Sequence, residues 1–473
     1  MPLVHFPSSK LLRRHLLIFL PFLLLAFSYR AYVNQQLAWV NSFEVTLSLS
    51  WIYTSSKFWH SFVPMLAAAA PKCSQPILTQ NATATNLSIN EYEVAESIHM
   101  KTDDVECMRR YHSLFVDLVN FGPPKLDYKR GTDGIVMAVE ESSFPILLVN
   151  LLMLRRTNST LPVEVFLATP KDYEAQICEV ILPELNARCV VLSSLLENSK
   201  DNSKSTLTIA EHPLKLMAVL LSSFESVLLL EADTFLLQRP DVLFSSEPFI
   251  SSQLVFWPDL AAPTFASQLS SIIGLSKDVS FESLTVAGGQ ILISKRHHAA
   301  TLLLTAYYNI YGQFYSPLLT QGRTIGSDDF FAASLALNAT SYTLYEPPRL
   351  LGPKSKSTAR ATLQHDPIMD FKCETLNTSS CTVTPFFLNS NWAFDTTTNP
   401  FVKQPWGRMW GSKAEGRILG VDIEAVVWEA LVEVACEQRL VLRGWRNEGM
   451  PVCGRAQAAY RVVFGREYER YEI

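Results

Sequence analysis

Two kinds of apolar run alternate along the chain from about residue 105 to residue 230. Short runs rich in Val, Ile and Leu stand at Gly134 to Val139, Val163 to Ala168, Cys189 to Leu192 and Ser226 to Leu230. Their lack of polar alternation suits strands covered on both faces. Longer stretches with helical spacing lie around them, at Val105 to Leu118, Phe144 to Arg156, Ala175 to Leu185 and Leu214 to Ser223. Strand, helix, strand with short connections predicts an α/β domain with an open, mostly parallel sheet and helices on both faces. The strands are too few and too irregular for a closed eight-fold barrel. Past Asn391 the rhythm breaks: Trp392 to Gly416 is loop-rich, and Ile423 to Cys436 has helical spacing. The ordered domain is therefore placed at 105–400, with residues 401–473 as a C-terminal extension.

The N-terminus adds a membrane signal. Lys10, Arg13 and Arg14 precede the apolar block His15 to Tyr29, which AYV extends after Arg30. Its core, Leu16 to Phe27, is shorter than the ~20 residues of an ordinary spanning helix, so a cleaved signal peptide is the alternative to a short anchor. No small-x-small cleavage site follows closely, which favours the anchor. The basic cluster places residues 1–14 in the cytosol, 15–33 in the membrane and the remainder in the lumen, a single-pass type II arrangement. Residues 34–104, with AAAAP and TQNATATNLS, lack sustained periodicity and read as a stem.

Composition narrows the partners. The chain has 473 residues, 48% of them hydrophobic, enough for a large core. With 40 basic and 45 acidic residues and a net charge of -5, it carries no field that would gather nucleic acid. Glycosylation sequons at Asn81, Asn86, Asn158, Asn338 and Asn377 agree with a luminal domain. The eight cysteines include three sequence-local pairs, Cys178/Cys189, Cys373/Cys381 and Cys436/Cys453, with Cys73 and Cys107 apart. Disulfides are expected; zinc is disfavoured because no C-x-x-C occurs.

The chemistry concentrates at FESVLLLEADTFLLQRPDVLF, Phe224 to Phe244, where Glu231 and Asp233 directly follow an apolar run. Ligands of open parallel sheets bind beyond the carboxyl ends of the strands. Spaced i and i+2 on an extended segment, the two carboxylates face one side and can share a divalent cation and its diphosphate. A solvated strand end or a helix cap remains the plain alternative, since acid-x-acid also occurs at Glu91/Glu93.

This stretch resembles the GT-A glycosyltransferase block in which a strand and acid-x-acid precede a proline and then L-F. Further blocks resemble the MNN-type fungal Golgi α-mannosyltransferases of glycosyltransferase family 71, which branch mannan and N-glycan outer chains. They are LRRTNSTLPVEVF (Leu154 to Phe166), LKLMAVLLSSFESVLLLEAD (Leu214 to Asp233), VFWPDL (Val255 to Leu260), GGQILISK (Gly288 to Lys295), LLLTAYYNIYGQFYSPLLTQG (Leu302 to Gly322), GSDDFFAASLAL (Gly326 to Leu337) and QHDPIMDF (Gln364 to Phe371). The likeness runs in constant order from about Gly134 to Asn391.

The resemblance implies a GT-A-like fold and a Golgi membrane enzyme. It would transfer mannose from GDP-mannose, with retention, to a mannose-terminated glycan of an α-1,2 or α-1,3 kind, using Mn²⁺ or Mg²⁺. It also implies roles. Glu231, standing where the family usually has Asp, and Asp233 hold the metal. Lys215 reaches the nucleotide diphosphate. Gly288 and Gly289 form a tight turn close to the donor sugar, and Gln290 binds the donor beside them. Asp328 and Asp329, in an acidic motif that opens a helix, are the catalytic candidates near the donor or acceptor hydroxyls, with ordinary N-capping the plain alternative. Trp257 and Asp259 in WPD would offer the acceptor a ring face and a carboxylate, and His365 is a candidate metal or phosphate ligand. Two departures stand out: Ala287 replaces an expected carboxylate, and Asn389 replaces a histidine ligand of metal or phosphate. A complex with other Golgi mannosyltransferases is the expected protein partner. Transfer from a UDP-sugar on the same scaffold, or a non-catalytic glycan-binding subunit, stays open at this point.

Overall fold

The structure, a computed structural model, describes residues 57–78, 98–196, 214–260, 265–275, 285–321, 328–352, 361–376, 381–390, 406–413, 416–437, 439–440, 442 and 452–468. The tail at 1–14, the anchor at 15–33 and the sequons at Asn81, Asn86 and Asn377 lie outside them. Among the described residues no helix is long and apolar enough to cross a membrane.

The apolar runs form the strands they predict. We label β1 Lys129–Ala138, β2 Val163–Leu167, β3 Ala187–Val191, β4 Phe224–Leu230, β5 Thr234–Leu236, β6 Leu254–Pro258, β7 Val286–Ser294, β8 Tyr342–Thr343, β9 Arg349–Leu351, β10 Ala361–His365 and β11 Pro385–Asn389. The main sheet has seven strands in the order β8-β6-β7-β4-β1-β2-β3. Pairing is parallel for β1 with β2 and β4, β2 with β3, and β6 with β8. The long strand β7 runs antiparallel to both β4 and β6, so the sheet is mixed and mostly parallel. A second sheet of four strands, β9-β10-β11-β5, is antiparallel throughout. Only Glu231, Ala232 and Asp233 separate β4 of the main sheet from β5 of the second.

Burial accounts for the strand composition. Ile135, Val136, Met137, Val227 and Leu228 are fully buried, as expected of strands covered on two sides. Glu164 is buried among them because Arg188 Nη2 (2.5 Å) and the Ser223 backbone N–H (3.1 Å) satisfy its carboxylate. Lys295 is likewise buried, with Nζ donating to the carbonyls of Leu220 (2.8 Å), Ser222 (2.7 Å) and Asp127 (3.1 Å). Burial pulls its pKa down to about 7.

The helix Phe144–Arg156 matches its expected bounds, and its last two residues act as staples. Arg155 donates to the carbonyls of Leu185 (2.9 Å), Ser159 (3.0 Å) and Leu161 (2.9 Å), fixing the entry to β2. Arg156 reaches the carbonyl of Val426 (3.1 Å) and pairs with Glu433 (2.9 Å), both on the helix Ile423–Cys436. Residues 401–473 were set apart as an extension, yet Trp410, Trp428 and Leu431 belong to the same buried core as Leu147 and Val165. The stretch Ala175 to Leu185 is more irregular than a plain helix, with a π-turn at Gln176–Ile181 before the short helix Leu182–Glu184.

All eight cysteines are paired: Cys73–Cys107, Cys178–Cys189, Cys373–Cys381 and Cys436–Cys453. The first disulfide ties the stretch read as stem to the helix Thr102–Phe121. Residues 57–68 are helical and bury Phe58, Phe62 and Leu66. Phe62 meets the ring of Phe115, which stacks on Tyr307 at 4.2 Å, while Tyr307 and Tyr311 donate to the carbonyls of Ala69 (2.9 Å) and Leu66 (2.7 Å). A domain boundary at residue 105 therefore cuts through packed side chains. A chain beginning there is expected to lose roughly 4.5–9 kcal/mol of apolar burial, from three large side chains at about 1.5–3 each. Thermal melting of that truncation against one beginning at residue 55 checks this: the shorter chain should aggregate or melt far lower.

Asn158 and Asn338 are exposed, both in left-handed backbone conformation (φ 61° and 47°) at the ends of helices, where a glycan meets no packing.

Candidate active site

The acidic pair sits where parallel β4 ends, but not on an extended segment as the i, i+2 spacing suggested. Thr234 N–H donates to the Glu231 carbonyl (3.1 Å), closing a turn that carries the chain from one sheet to the other. Three neighbours grip this turn. Gly289 on β7 accepts from Glu231 N–H (2.9 Å), and Ser390 N–H donates to the Asp233 carbonyl (2.9 Å). From the helix Phe144–Arg156, the buried Asn150 Nδ2 faces the carbonyls of Glu231 (3.2 Å), Ala232 (3.0 Å) and Thr234 (2.8 Å).

Lys215, in the first turn of the helix Leu214–Leu221, forms an ion pair with Glu231 Oε1. Both side chains keep about a third of their surface in solvent, 37% and 35%, so the pair is open to exchange with a ligand. Asp233 is the perturbed member. Burial, reinforced by the charge of Glu231, pushes its carboxyl up to about 7, while Lys215 offsets part of the rise.

Gly288, Gly289 and Gln290 lie inside β7 and not in the tight turn expected of them. The reason for glycine at 289 is close approach: a Cβ there would stand 2.4 Å from Asn389 Nδ2 and 2.7 Å from Thr234 Oγ1. Register places Gln290 opposite Leu230 and Asn389 opposite Thr234, so both amides border the acidic turn. Asn389 Nδ2 donates to Gln290 Oε1 (3.0 Å), whereas Thr234 Oγ1, Gln290 Nε2 and Asn389 Oδ1 have no partner. Buried polar atoms left this way in a native site call for a ligand or water. Ala287 is buried and adds no polar group. Gly289→Ala is expected to cost about 1–3 kcal/mol by overpacking the join of the two sheets. It should also depress activity beyond the fraction unfolded, which parallel denaturation and turnover measurements would separate.

Asp328 and Asp329 open the helix Asp328–Ala336, each only 6% exposed. Asn309 Nδ2 donates to Asp329 Oδ2 (2.6 Å), and Phe330 N–H donates to Oδ1 (2.9 Å). Burial raises the Asp329 pKa, and the hydrogen bonds from Asn309 and Phe330 and the charge of Lys215 work the other way. A narrow cleft lined by Tyr308, Asn309, Ser316, Thr320, Asp328 and Asp329 lies beside this pair.

Other expected residues fall elsewhere. Trp257 is fully buried, donates from Nε1 to the His365 carbonyl (2.9 Å) and packs edge-on against Phe387; its ring is core and offers no face to a sugar. Asp259 is exposed just past β6, where its Oδ1 accepts the Leu260 N–H (2.6 Å). His365 is buried at the end of β10 opposite Pro385, whereas Asn389 pairs with Thr362. Three residues of strand separate them, roughly 10 Å. Among the described residues no three His, Cys, Asp or Glu side chains cluster as a metal site.

The turn carries the carboxylates of Glu231, paired with Lys215, and of Asp233, with Thr234 Oγ1 and Asn389 Oδ1 unpartnered nearby. An all-oxygen set with two carboxylates fits a hard divalent cation that completes its shell with phosphate oxygens or water. Sequence reasoning missed Asn150 and Asn309; the one polar side chain inside FPILLVNLLMLRR was the available signal for the first.

A mixed α/β sheet with an acidic turn, a lysine and paired amides at the carboxyl edge of its strands places polar chemistry where open sheets bind ligands, and the family match gives its class, a glycosyltransferase. The chain belongs to the Mannosyl_trans3 family of mannosyltransferases, whose model matches residues 132–287 and 278–375. That match includes the acidic turn, Gly289, Gln290 and Asp329, and stops before Asn389. The alpha-1,2-mannosyltransferases MNN24 and MNN21 of Candida albicans are 30% and 32% identical to it over 324 and 296 residues, covering 59% and 54% of this chain and 45% and 44% of their own. Alpha-1,2-mannosyltransferase MNN5 of Saccharomyces cerevisiae is 28% identical over 327 residues, 56% of this chain and 55% of its own. The chain thus spans about half the length of the relatives it matches. Solved structures that resemble it include the galactosyltransferase LgtC with donor and acceptor sugar analogues (TM-score 0.29, 13% identity, 45% of this chain and 73% of that one). Mouse xyloside xylosyltransferase 1 resembles it similarly (TM-score 0.30, 13% identity, 46% and 85%). Likenesses this low say nothing about donor or acceptor.

Proposed function

We propose that the chain is a GT-A-like, retaining mannosyltransferase that moves mannose from GDP-mannose to a mannose-terminated glycan, forming an α-1,2 linkage as its relatives' names describe. The acidic turn of Glu231 and Asp233 at the carboxyl edge of β4, with Lys215 paired to Glu231, carries this reading. Glu231 and Asp233 would hold Mn²⁺ or Mg²⁺, and a cation there supplies charge neutralisation to the departing diphosphate. Lys215 exchanges its Glu231 partner for a diphosphate oxygen, a short swing for a half-exposed lysine. Gln290, Thr234 and Asn389 present unpartnered polar atoms to sugar hydroxyls. Asp329, held by Asn309, accepts a further sugar hydroxyl, and Asp328 stands beside it. Retention follows from front-face attack: the acceptor oxygen bonds to the anomeric carbon as the phosphate oxygen leaves, and that oxygen takes the acceptor's proton. The exposed Asp259 is the remaining acceptor-side candidate.

Four disulfides and the exposed sequon asparagines Asn158 and Asn338 support a luminal setting, as a single-pass type II protein of the Golgi membrane. Association with other mannosyltransferases is part of the same reading. The test offers the full chain in detergent GDP-mannose, UDP-galactose or UDP-glucose with a mannose disaccharide acceptor, with Mn²⁺ or with chelator. GDP release and an α-1,2-mannosidase-sensitive product are expected only from GDP-mannose with Mn²⁺. Consumption of a UDP-sugar instead, or glycan binding without turnover, would replace this reading.

A further inference from the structure

The geometry points to Asn150 as the positioning residue of the acidic turn, a role that rests on the reading of Glu231 and Asp233 as the cation site. Asn150 is the one polar side chain within the ten-residue buried stretch Phe144, Pro145, Ile146, Leu147, Leu148, Val149, Asn150, Leu151, Met153 and Leu154 of its helix, and it is fully buried. A buried carboxamide surrounded by apolar neighbours costs folding free energy, the more so as its Oδ1 has no partner, so its presence there calls for a reason. Its Nδ2 lies within 3.2 Å of the Glu231 carbonyl, 3.0 Å of Ala232 and 2.8 Å of Thr234. One amino group thereby touches three carbonyls of a four-residue turn, and the two cation-facing carboxylates ride on that turn. The strands on either side cannot supply this restraint: β4 ends at Leu230 and β5 starts at Thr234, so Glu231 to Asp233 lie outside both ladders. The backbone bonds from Gly289 and Ser390 fix the two ends of the turn, and only Asn150 reaches the Ala232 carbonyl at its middle among the described bonds.

Asn150 touches no substrate atom. It acts through Glu231 and Asp233, by holding their backbone so that both carboxylates address one ion, as outer partners of metal ligands do elsewhere. A purely structural asparagine would lower stability without changing cation affinity at a given folded fraction.

Mn²⁺ titration of the donor-free full chain in detergent, followed by calorimetry or by the paramagnetic signal of free Mn²⁺, separates these roles. Asn150→Ser, which keeps one donor, and Asn150→Ala, which keeps none, are each compared with Leu148→Ala, a matched cavity on the same helix. The expected result is a Mn²⁺ dissociation constant raised about 10–100-fold in both Asn150 variants, more in the alanine. Leu148→Ala should melt lower with its Mn²⁺ affinity within twofold of the parent. Asn150 variants that bind Mn²⁺ within twofold of the parent overturn the proposal. So does Leu148→Ala loosening Mn²⁺ equally, or failure of both Asn150 variants to fold, since the side chain then serves the core. The cation reading fails separately: if Asp233→Asn binds Mn²⁺ as the parent does, the ion lies elsewhere.

Discussion

Asp233→Asn is expected to lower mannosyl transfer by about 10³-fold, on the order of 4 kcal/mol of lost transition-state stabilisation, while leaving the fold as stable or more so. The two halves of that expectation have one cause. Asp233 has its carboxyl pushed up to about 7 by burial and by Glu231, against roughly 3.9 in an unfolded chain. Between those values the folded protein holds a proton that the unfolded chain has lost. Stability of the cation-free protein therefore falls as pH rises from about 4 to 7, and the full cost is present above 7. Asparagine removes that cost, so at pH 8 without Mn²⁺ the variant should melt roughly 1–4 °C higher than the parent. Added Mn²⁺ should reverse the order by stabilising only the parent. The same proton competes with the cation, so parental Mn²⁺ affinity should drop about tenfold per pH unit below 7. Melting curves at pH 5 and 8, with and without Mn²⁺, read all of this; a variant that melts lower under every condition would show that Asp233 is structural.

The second large effect is expected from Lys295→Met, far from the acidic turn and without chemistry of its own. Removing Nζ leaves the carbonyls of Leu220, Ser222 and Asp127 without their donor in a dry interior. It also removes a compensating charge from the neighbourhood of Glu164. Breaking one side of such a buried arrangement costs about 3–5 kcal/mol. The arrangement adjoins the site only through backbone, since Leu220 and Ser222 close the far end of the helix whose first turn carries Lys215. Urea denaturation should show the midpoint shifted with an unchanged slope, and kcat per folded molecule close to that of the parent. A large fall in kcat at full folding would instead give Lys295 a part in positioning Lys215.

The legible parts of this molecule are those whose cause is local. Phe144–Arg156 and Ile423–Cys436 were readable to the residue because apolar spacing and flanking polar residues set both ends. The strand ending at Leu230 was readable because a run buried on two faces has no other use for four successive apolar positions. What escaped depends on partners distant in sequence. Gly288 and Gly289 looked like a turn, and only the approach of Thr234 and Asn389 explains why the strand carries glycine at 289. Trp257 looked like a sugar platform; its indole N–H finds the His365 carbonyl, a contact that spacing does not reveal. The stretch at 57–68 looked like stem because its helix is short and flanked by small residues, and its cause is the tyrosine-rich surface of a helix more than two hundred residues later. Asn389 reads as a loss against the family pattern, yet the chain places it beside Gln290, where an amide pair replaces an expected ligand.

The turn from Glu231 to Asp233 is also the strap between two sheets, and this limits how the chain can vary. Thr234, Phe235 and Leu236 are all buried, and each pairs in fixed register with β11. One residue inserted after Ala232 would rotate β5 by half a period, exchanging the surroundings of Phe235 with those of its neighbours. It would equally carry Asp233 away from Glu231. Surface loops in general tolerate added length, but here the number of residues is fixed by the seam the turn crosses and, on the proposed function, a second time by the cation its carboxylates would share.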